Sequence, residues 1–457
     1  MSASTEAGER SAARSTGYGR GAWTLSVGIG VTGLVTYAYF SLSSHALSAA
    51  EYGAITLLWS AVFVTVSVLY RPVEQLLSRT IADLDARGQS ESGHLRVAAT
   101  IQLGLGIAFA AIAVALRGPI ENKLLGGSAT LYWILIVAVL AYAASYFARG
   151  FLAGHRRFGL YGGLVLMESV SRCLFAVAVV VGIASGPTVA ALGIAAAPIV
   201  SLAVVPWALG RRLRRPADPV AVGATDPALA LEATETIEPR AEGGRAESEF
   251  TLAHGGGFAA AVLVVMVCEQ TFLNAGPLLV KATEGERGTA LAGLVFNVLL
   301  IARAPLQLFQ AVQTSILPHL TRLRASGEAD PFRRSINVTL AAIAAFAALL
   351  GLVLLALGPT LMDLFFGGEG EYARGGLVLV AAGMGLYLAA ATLNQAALAR
   401  AQARVAAGCW AGAAAAFVAF LLAWRFEDRV LQVEIGFVGA AGLLCVLLGG
   451  LYRSGES

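Results

Sequence analysis

The stretch SINVTLAAIAAFAALLGLVLLAL, residues 335–357, runs for 23 residues without a single charged side chain. As an α-helix it would be about 35 Å long, enough to cross the hydrocarbon core of a bilayer, which is about 30 Å thick. Its polar side chains, Ser335, Asn337 and Thr339, all lie in the first turn and a half. This stretch therefore predicts a transmembrane helix.

The same kind of stretch recurs along the rest of the chain. Of all residues, 57% are hydrophobic and 13% are charged, against about a quarter charged in soluble domains. Further apolar stretches of spanning length fall at 22–44, 52–73, 96–116, 130–151, 159–183, 187–209, 256–280, 289–312, 375–397, 405–424 and 431–451. Because lipid offers the backbone no hydrogen-bonding partner and no alternating barrel pattern is visible, we predict an all-α integral membrane protein of about twelve transmembrane helices. Soluble enzymes and nucleic-acid-binding modules are excluded.

Arginine and lysine are distributed unevenly between the two sides of this topology. Of the 32 basic residues, 23 fall in the tails and in alternate loops with the span ends beside them, 7 fall on the opposite side, and Arg172 and Arg303 remain deep inside spans. Cytoplasmic segments carry the excess of positive charge. We therefore predict a multi-pass protein of the cell (inner) membrane with both termini in the cytoplasm.

One long polar segment divides the chain into two halves. Residues 211–254 begin with an arginine cluster and continue with prolines and scattered acidic residues, a composition typical of a disordered cytoplasmic linker. It separates two predicted six-helix lobes, 22–210 and 255–452, flanked by cytoplasmic tails at 1–21 and 453–457. Two lobes of equal orientation indicate a parallel repeat around a central cavity that opens to alternate sides.

Ionisable side chains within spans are the informative exceptions, because each is costly in lipid. Glu168 and Arg172 are four residues apart on span five, which favours an ion pair within one helix, either joining helices or lining a cavity. Glu269 lies about mid-depth in span seven and has Arg303 of span eight as its predicted partner; a protonated or hydrated Glu269 is the alternative. Both glutamates are candidate ion-coupling residues.

Other chemistry has little support. The two lysines, Lys123 and Lys281, precede neither Ser nor Thr, so no Walker A phosphate loop exists. The cysteines lie in apolar stretches and the histidines show no ligand spacing. We therefore expect no enzyme activity, no cofactor and no metal site.

In span eight, Gln307 and Gln310 follow Arg303 on one helix face, and such a polar stripe lines water or a hydrophilic substrate.

Two motifs resemble a known superfamily. Residues 47–53 read LSAAEYG, which resembles the LSxxEYG turn that opens span two in polysaccharide-export and oligosaccharide flippase proteins. Residues 296–318 read FNVLLIARAPLQLFQAVQTSILP, followed by LRASGE at 323–328. They are similar to the multidrug, oligosaccharidyl-lipid and polysaccharide exporter superfamily, which also contains lipid II flippases and multidrug and toxin extruders.

The resemblance implies a transporter that flips a polyprenyl-pyrophosphate-linked oligosaccharide to the outer leaflet by alternating access, for cell-surface polysaccharide biosynthesis. The implied substrate-binding residues are Arg172, Gln270, Asn274, Arg303, Gln307 and Gln310. Arg303 would clamp the phosphates, since guanidinium groups bind them bidentately. Implied partners are membrane lipids, the lipid-linked glycan, and glycosyltransferases or a polymerase of the same pathway, with no nucleic acid. Only two arginines lie deep in spans, unlike in lipid II flippases, which favours another glycan.

Three alternatives remain open. A major-facilitator exporter shares the two six-helix halves, but residues 80–89, TIADLDARGQ, lack the motif expected between its spans two and three. A multidrug extruder, exporting small molecules with ion coupling, ranks after it. A scaffold that gathers glycosyltransferases would not need the polar face of span eight.

Overall fold

The computed structural model of the protein describes residues 28, 30–86, 92–155, 157–203, 252–301, 303, 329–367, 372–400 and 402–454. In these residues the regular structure is helical throughout, with one π-helical turn at Pro119–Leu124 and no strand. The predicted all-α class is confirmed.

The described helices form two compact units, Met1–Gly223 and Ala224–Ser457, here the N-terminal and C-terminal units. The N-terminal helices are α1 (30–46), α2 (Ala49–Leu69), α3 (Arg71–Ala86), α4 (Ser92–Ala115), α5 (Ala129–Gly154), α6 (Phe158–Val180) and α7 (Pro187–Leu202). The C-terminal helices are α8 (Leu252–Glu284), α9 (Arg287–Ile301), α10 (Ala329–Phe366), α11 (Arg374–Ala399), α12 (Ala403–Ala423) and α13 (Arg429–Ser454).

A helix lies at each of the twelve predicted spans, with α2 and α3 together at the second. Searching only the described part of the chain, nine helical segments are long and apolar enough to cross a membrane, and α7 and α9 are shorter apolar helices. Most of the predicted linker, 211–254, lies outside the described residues; its last three residues already belong to α8.

The LSAAEYG motif is the start of α2. The Ser48 hydroxyl accepts a hydrogen bond from the Glu51 backbone N–H at 3.4 Å, and the Glu51 carboxylate accepts one from the Ser48 N–H at 3.0 Å. This reciprocal capping box satisfies backbone donors that a helix start leaves without partners. The motif therefore has a local structural role in addition to any family resemblance.

The second span continues beyond its predicted end at residue 73. Only Tyr70 interrupts the helix between α2 and α3, and Pro72 lies in the first turn of α3, where its missing N–H costs no hydrogen bond. Because Glu74 follows the predicted end of the second span, where a charged side chain can reach the headgroups, the sequence predicts that it is a surface charge. That interpretation is wrong, because Glu74 is 7% exposed in the interface between α3 and α5.

Glycines set the distance between these two helices. A Cβ atom added at Gly150 of α5 would lie 2.7 Å from the Glu74 carbonyl oxygen, and one at Gly154 would lie 2.7 Å from the Cβ of Ile81. Only glycine permits such an approach without a shift of the backbone. The contact holds Glu74 beside the polar residues of α5.

Large apolar side chains are exposed along α4 and α10. Ile107 of α4 is 61% exposed and Leu352 of α10 is 64% exposed. Contiguous apolar surfaces of this kind mark contact with something other than water. Together with the length of the helices, they fit a multi-pass membrane protein.

Candidate functional site

Two clusters of polar and charged side chains, one in each unit, contain the predicted site residues that the structure describes. The Glu168 cluster of the N-terminal unit consists of Tyr142, Ser145, Arg149, Glu168, Ser169, Arg172 and Ser201. The Arg303 cluster of the C-terminal unit consists of Gln270, Leu273, Asn274, Phe296 and Arg303.

Glu168 forms an ion pair with a different arginine from the one predicted. Its carboxylate accepts a hydrogen bond from Arg149 of α5 and another from the Ser145 hydroxyl, while the Ser201 hydroxyl lies 3.4 Å away. The predicted pair with Arg172 is not formed. Glu168 is 2% exposed, and because α5 and α7 supply donors to the carboxylate, it has no need of a partner on its own helix.

Arg172 instead binds neutral groups. Its guanidinium donates to the Tyr142 hydroxyl at 2.7 Å and to the Ser169 hydroxyl at 3.0 Å. It also lies over the Trp59 ring, 4.6 Å from the centroid, in cation–π geometry. The side chain is 4% exposed and its Nε has no acceptor. Arg172 is therefore a buried cation whose hydrogen-bonding capacity is not filled.

The sequence interpretation missed Arg149 and Glu74. Arg149 lies over the Tyr146 ring at 4.5 Å, and Glu74 accepts a hydrogen bond from the Tyr161 hydroxyl at 3.1 Å. Arg149 lies inside the predicted fourth span but near its end, where long side chains reach the headgroups. Arg149 is four residues from Ser145 and therefore on the same face of the helix. This spacing was the available sequence signal that Arg149 faces the interior of the unit.

Three predicted substrate-binding residues come together in the Arg303 cluster. Arg303 donates to the Leu273 carbonyl and to the Asn274 side-chain oxygen, the latter at 3.2 Å. Asn274 in turn donates to the Gln270 side-chain oxygen at 3.1 Å. Gln270 and Asn274 can meet because they are one helical turn apart on α8.

Arg303 does not pair with Glu269. Both of its hydrogen bonds go to Leu273 and Asn274, its guanidinium lies 5.4 Å from the Phe296 ring centroid, and its Nε is buried without an acceptor. Glu269 is half-buried on α8 and has an interaction of its own. Gln307 and Gln310 lie outside the described residues.

The two clusters share one electrostatic feature. Arg172 and Arg303 each bring a guanidinium into the interior of a unit, and the contacts of both are hydroxyl, amide and carbonyl groups and aromatic rings. Arg149, by contrast, is neutralised by Glu168. A cation in a low-dielectric interior without an anion attracts one. Among the described residues no group of His, Cys, Asp and Glu could hold a metal ion.

Comparisons with known proteins identify the fold. No protein-family model matches the sequence, and no curated protein matches it either. Among solved structures, a point mutant of the Vibrio cholerae MATE transporter VcmN aligns with 97% of each chain, at a TM-score of 0.58 and 16% identity. The chain shares the MATE fold.

Two further matches carry conformational descriptions. An inward-facing multidrug resistance MATE family transporter of the MOP superfamily matches with a TM-score of 0.62 and 14% identity, covering 94% of this chain and 97% of the other. An outward-facing one matches with a TM-score of 0.56 and 13% identity, covering 95% of this chain and 94% of the other. The predicted resemblance to this superfamily is thus supported at the level of the fold, and its oligosaccharide-flippase branch is not singled out.

Proposed function

We propose that the protein is a membrane transporter that works by alternating access, and that it exports small molecules in the manner of a multidrug extruder. The observation that carries this proposal is the match to MATE transporters over nearly the whole of both chains, including structures described as inward-facing and outward-facing. Of the two exporter types considered as alternatives from the sequence, these matches support the extruder and not the major facilitator. They also favour a transporter over an enzyme.

The buried arginines favour a second candidate, the flipping of a polyprenyl-pyrophosphate-linked oligosaccharide. Among the described residues no carboxylate pairs with Arg172 or Arg303, so each cluster contains a guanidinium charge without a paired anion. Such a cluster repels a cationic drug and attracts a pyrophosphate, whose oxygens match the planar guanidinium. The amides of Gln270 and Asn274 offer hydrogen bonds to sugar hydroxyls. Under this candidate, glycosyltransferases or a polymerase would be partners in the cell (inner) membrane.

Transport by the full-length protein in liposomes separates the two candidates. We expect the reconstituted protein to move either a lipophilic cation such as ethidium or a labelled polyprenyl-pyrophosphate-linked oligosaccharide faster than protein-free liposomes do. Movement of the cation supports the extruder, and movement of the oligosaccharide supports the flippase. If neither compound moves faster than in protein-free liposomes, neither candidate stands.

A further inference from the structure

A buried carboxyl group in the C-terminal unit has no role in either cluster. Glu434 lies in the second turn of α13 and is 4% exposed. It faces α11, where a Cβ atom added at Gly376 would overlap its carboxyl group. The glycine thus provides the space that the carboxyl group occupies. Since Glu434 is five residues from the start of α13, it lies about 8 Å along the helix axis.

The basic groups at this end of α8, α11 and α13, and in the loop before α13, are engaged elsewhere or exposed. Arg429 of α13 donates through Nε to Glu284 of α8 at 2.7 Å and through Nη1 to Gln432. Lys281 of α8 donates to the Thr289 hydroxyl at 2.6 Å and to the Gly285 carbonyl at 3.0 Å. Arg374, at the start of α11, and Arg425, in the loop between α12 and α13, are exposed.

The acidic groups at this end add like charge near Glu434 and supply no counter-charge. Asp428, one and a half turns before it, accepts a hydrogen bond from the Leu431 backbone N–H at 3.0 Å and is a like charge. Glu427 is exposed in the loop between α12 and α13. Among the described residues, no hydrogen bond or ion pair reaches the Glu434 carboxyl group.

We propose that Glu434 is a proton-binding site and that its proton is exchanged during transport. A carboxylate buried without a counter-charge is costly, so the buried group holds a proton taken from water at this end of the unit. When the transport cycle hydrates the group, the O–H bond breaks, the electron pair stays on the carboxylate and the proton leaves to water. The coupling to transport rests on the proposed function, whereas the proton binding does not.

The other glutamates within the membrane are already engaged. Glu168, a predicted ion-coupling residue, is held in an ion pair with Arg149, and Glu74 accepts a hydrogen bond from Tyr161. The second predicted ion-coupling residue, Glu269, has an interaction of its own. Glu434 differs from Glu168 and Glu74 because its carboxyl group contacts a glycine instead of a donor.

Infrared difference spectroscopy of the full-length protein in liposomes tests the site. In the difference between spectra recorded at about pH 5 and about pH 9, a range that lies above the ordinary carboxyl pKa of about 4, we expect the carbonyl stretch of a protonated carboxyl group in the wild type. Glu434→Gln should lose that band, and the matched exposed control Glu427→Gln should keep it. Identical bands in the wild type and Glu434→Gln would overturn the site.

Transport under a pH gradient tests the coupling. One coupled proton supports about tenfold substrate accumulation per pH unit, so the wild type and Glu427→Gln should respond to the gradient. Glu434→Gln should transport without responding, and Glu434→Asp, which keeps a carboxyl group, should recover the response. Loss of the infrared band with an unchanged gradient response overturns the coupling. If Glu434→Gln loses the infrared band but even the wild type transports neither compound, the proposed function is overturned, whereas proton binding at Glu434 is supported.

Discussion

Arg149→Leu is expected to lower the free energy of unfolding by about 3–5 kcal/mol, the usual cost of removing one partner from a buried ion pair. The substitution leaves the Glu168 carboxylate, 2% exposed, with hydroxyl donors alone. It also removes the contact of the guanidinium with the Tyr146 ring. Denaturant unfolding of the purified protein in detergent, followed by tryptophan fluorescence, measures the change.

Two controls separate lost charge pairing from lost packing. Arg149→Leu combined with Glu168→Gln removes both charges, and we expect it to recover most of the lost stability, because the buried carboxylate is gone. Arg117→Leu breaks an exposed ion pair with Glu121 at 2.8 Å and should change stability little. If Arg149→Leu lowers the free energy of unfolding no more than Arg117→Leu does, the ion pair between Arg149 and Glu168 contributes little to stability.

Arg303→Gln is expected to reduce transport of a pyrophosphate-linked oligosaccharide by about 10- to 100-fold, as the loss of a charge-assisted hydrogen bond predicts. Glutamine keeps hydrogen-bond donors toward Asn274 and Leu273 and removes the charge. The same variant should leave transport of a lipophilic cation unchanged or faster, because a buried positive charge is removed. Initial rates in liposomes, taken as kcat/KM for each substrate, measure both effects.

The exposed Arg374 provides the matched control for this prediction. Arg374→Gln makes the same chemical change at the start of α11 and should alter neither rate. If Arg303→Gln reduces the transport rates of both substrates equally, Arg303 has a structural role. If the rate of oligosaccharide transport is unchanged, Arg303 does not belong to the substrate site.

The sequence sufficed for the positions of the helices, one or two of which lie at each predicted span, because hydropathy over about 20 residues depends only on composition and length. Helix ends were less accurate. The predicted span at 335–357 became the 38-residue α10, since residues on either side continue the helix beyond the apolar segment. The second span likewise continues into α3 because a proline in a first helical turn does not interrupt the hydrogen bonding.

Side-chain partners could not be predicted in the same way. Helical spacing places Glu168 near Arg172, but whether they pair depends on which donors the neighbouring helices supply, and α5 supplies Arg149 and Ser145. Spacing on one helix did place Gln270 and Asn274 on the same face, where their side chains form a hydrogen bond. Glu434 was passed over because it lies near a span end, where charges are usually solvated; its burial depends on Gly376 of another helix.

The most direct test of alternating access is cysteine labelling at the Arg303 cluster from each side of the membrane. Gln270→Cys would be introduced after replacing the four native cysteines, Cys173, Cys268, Cys409 and Cys445, by alanine. Glu427→Cys, exposed in a loop, serves as the one-sided control. Membrane vesicles of both orientations are treated with an impermeant maleimide.

We expect an alternating-access transporter to expose position 270 in turn to the two sides of the membrane. Gln270→Cys should therefore be labelled in vesicles of both orientations, and Glu427→Cys in one orientation alone. If Gln270→Cys reacts from only one side, or from neither, while Glu427→Cys reacts normally, the account of this protein as an alternating-access transporter is contradicted.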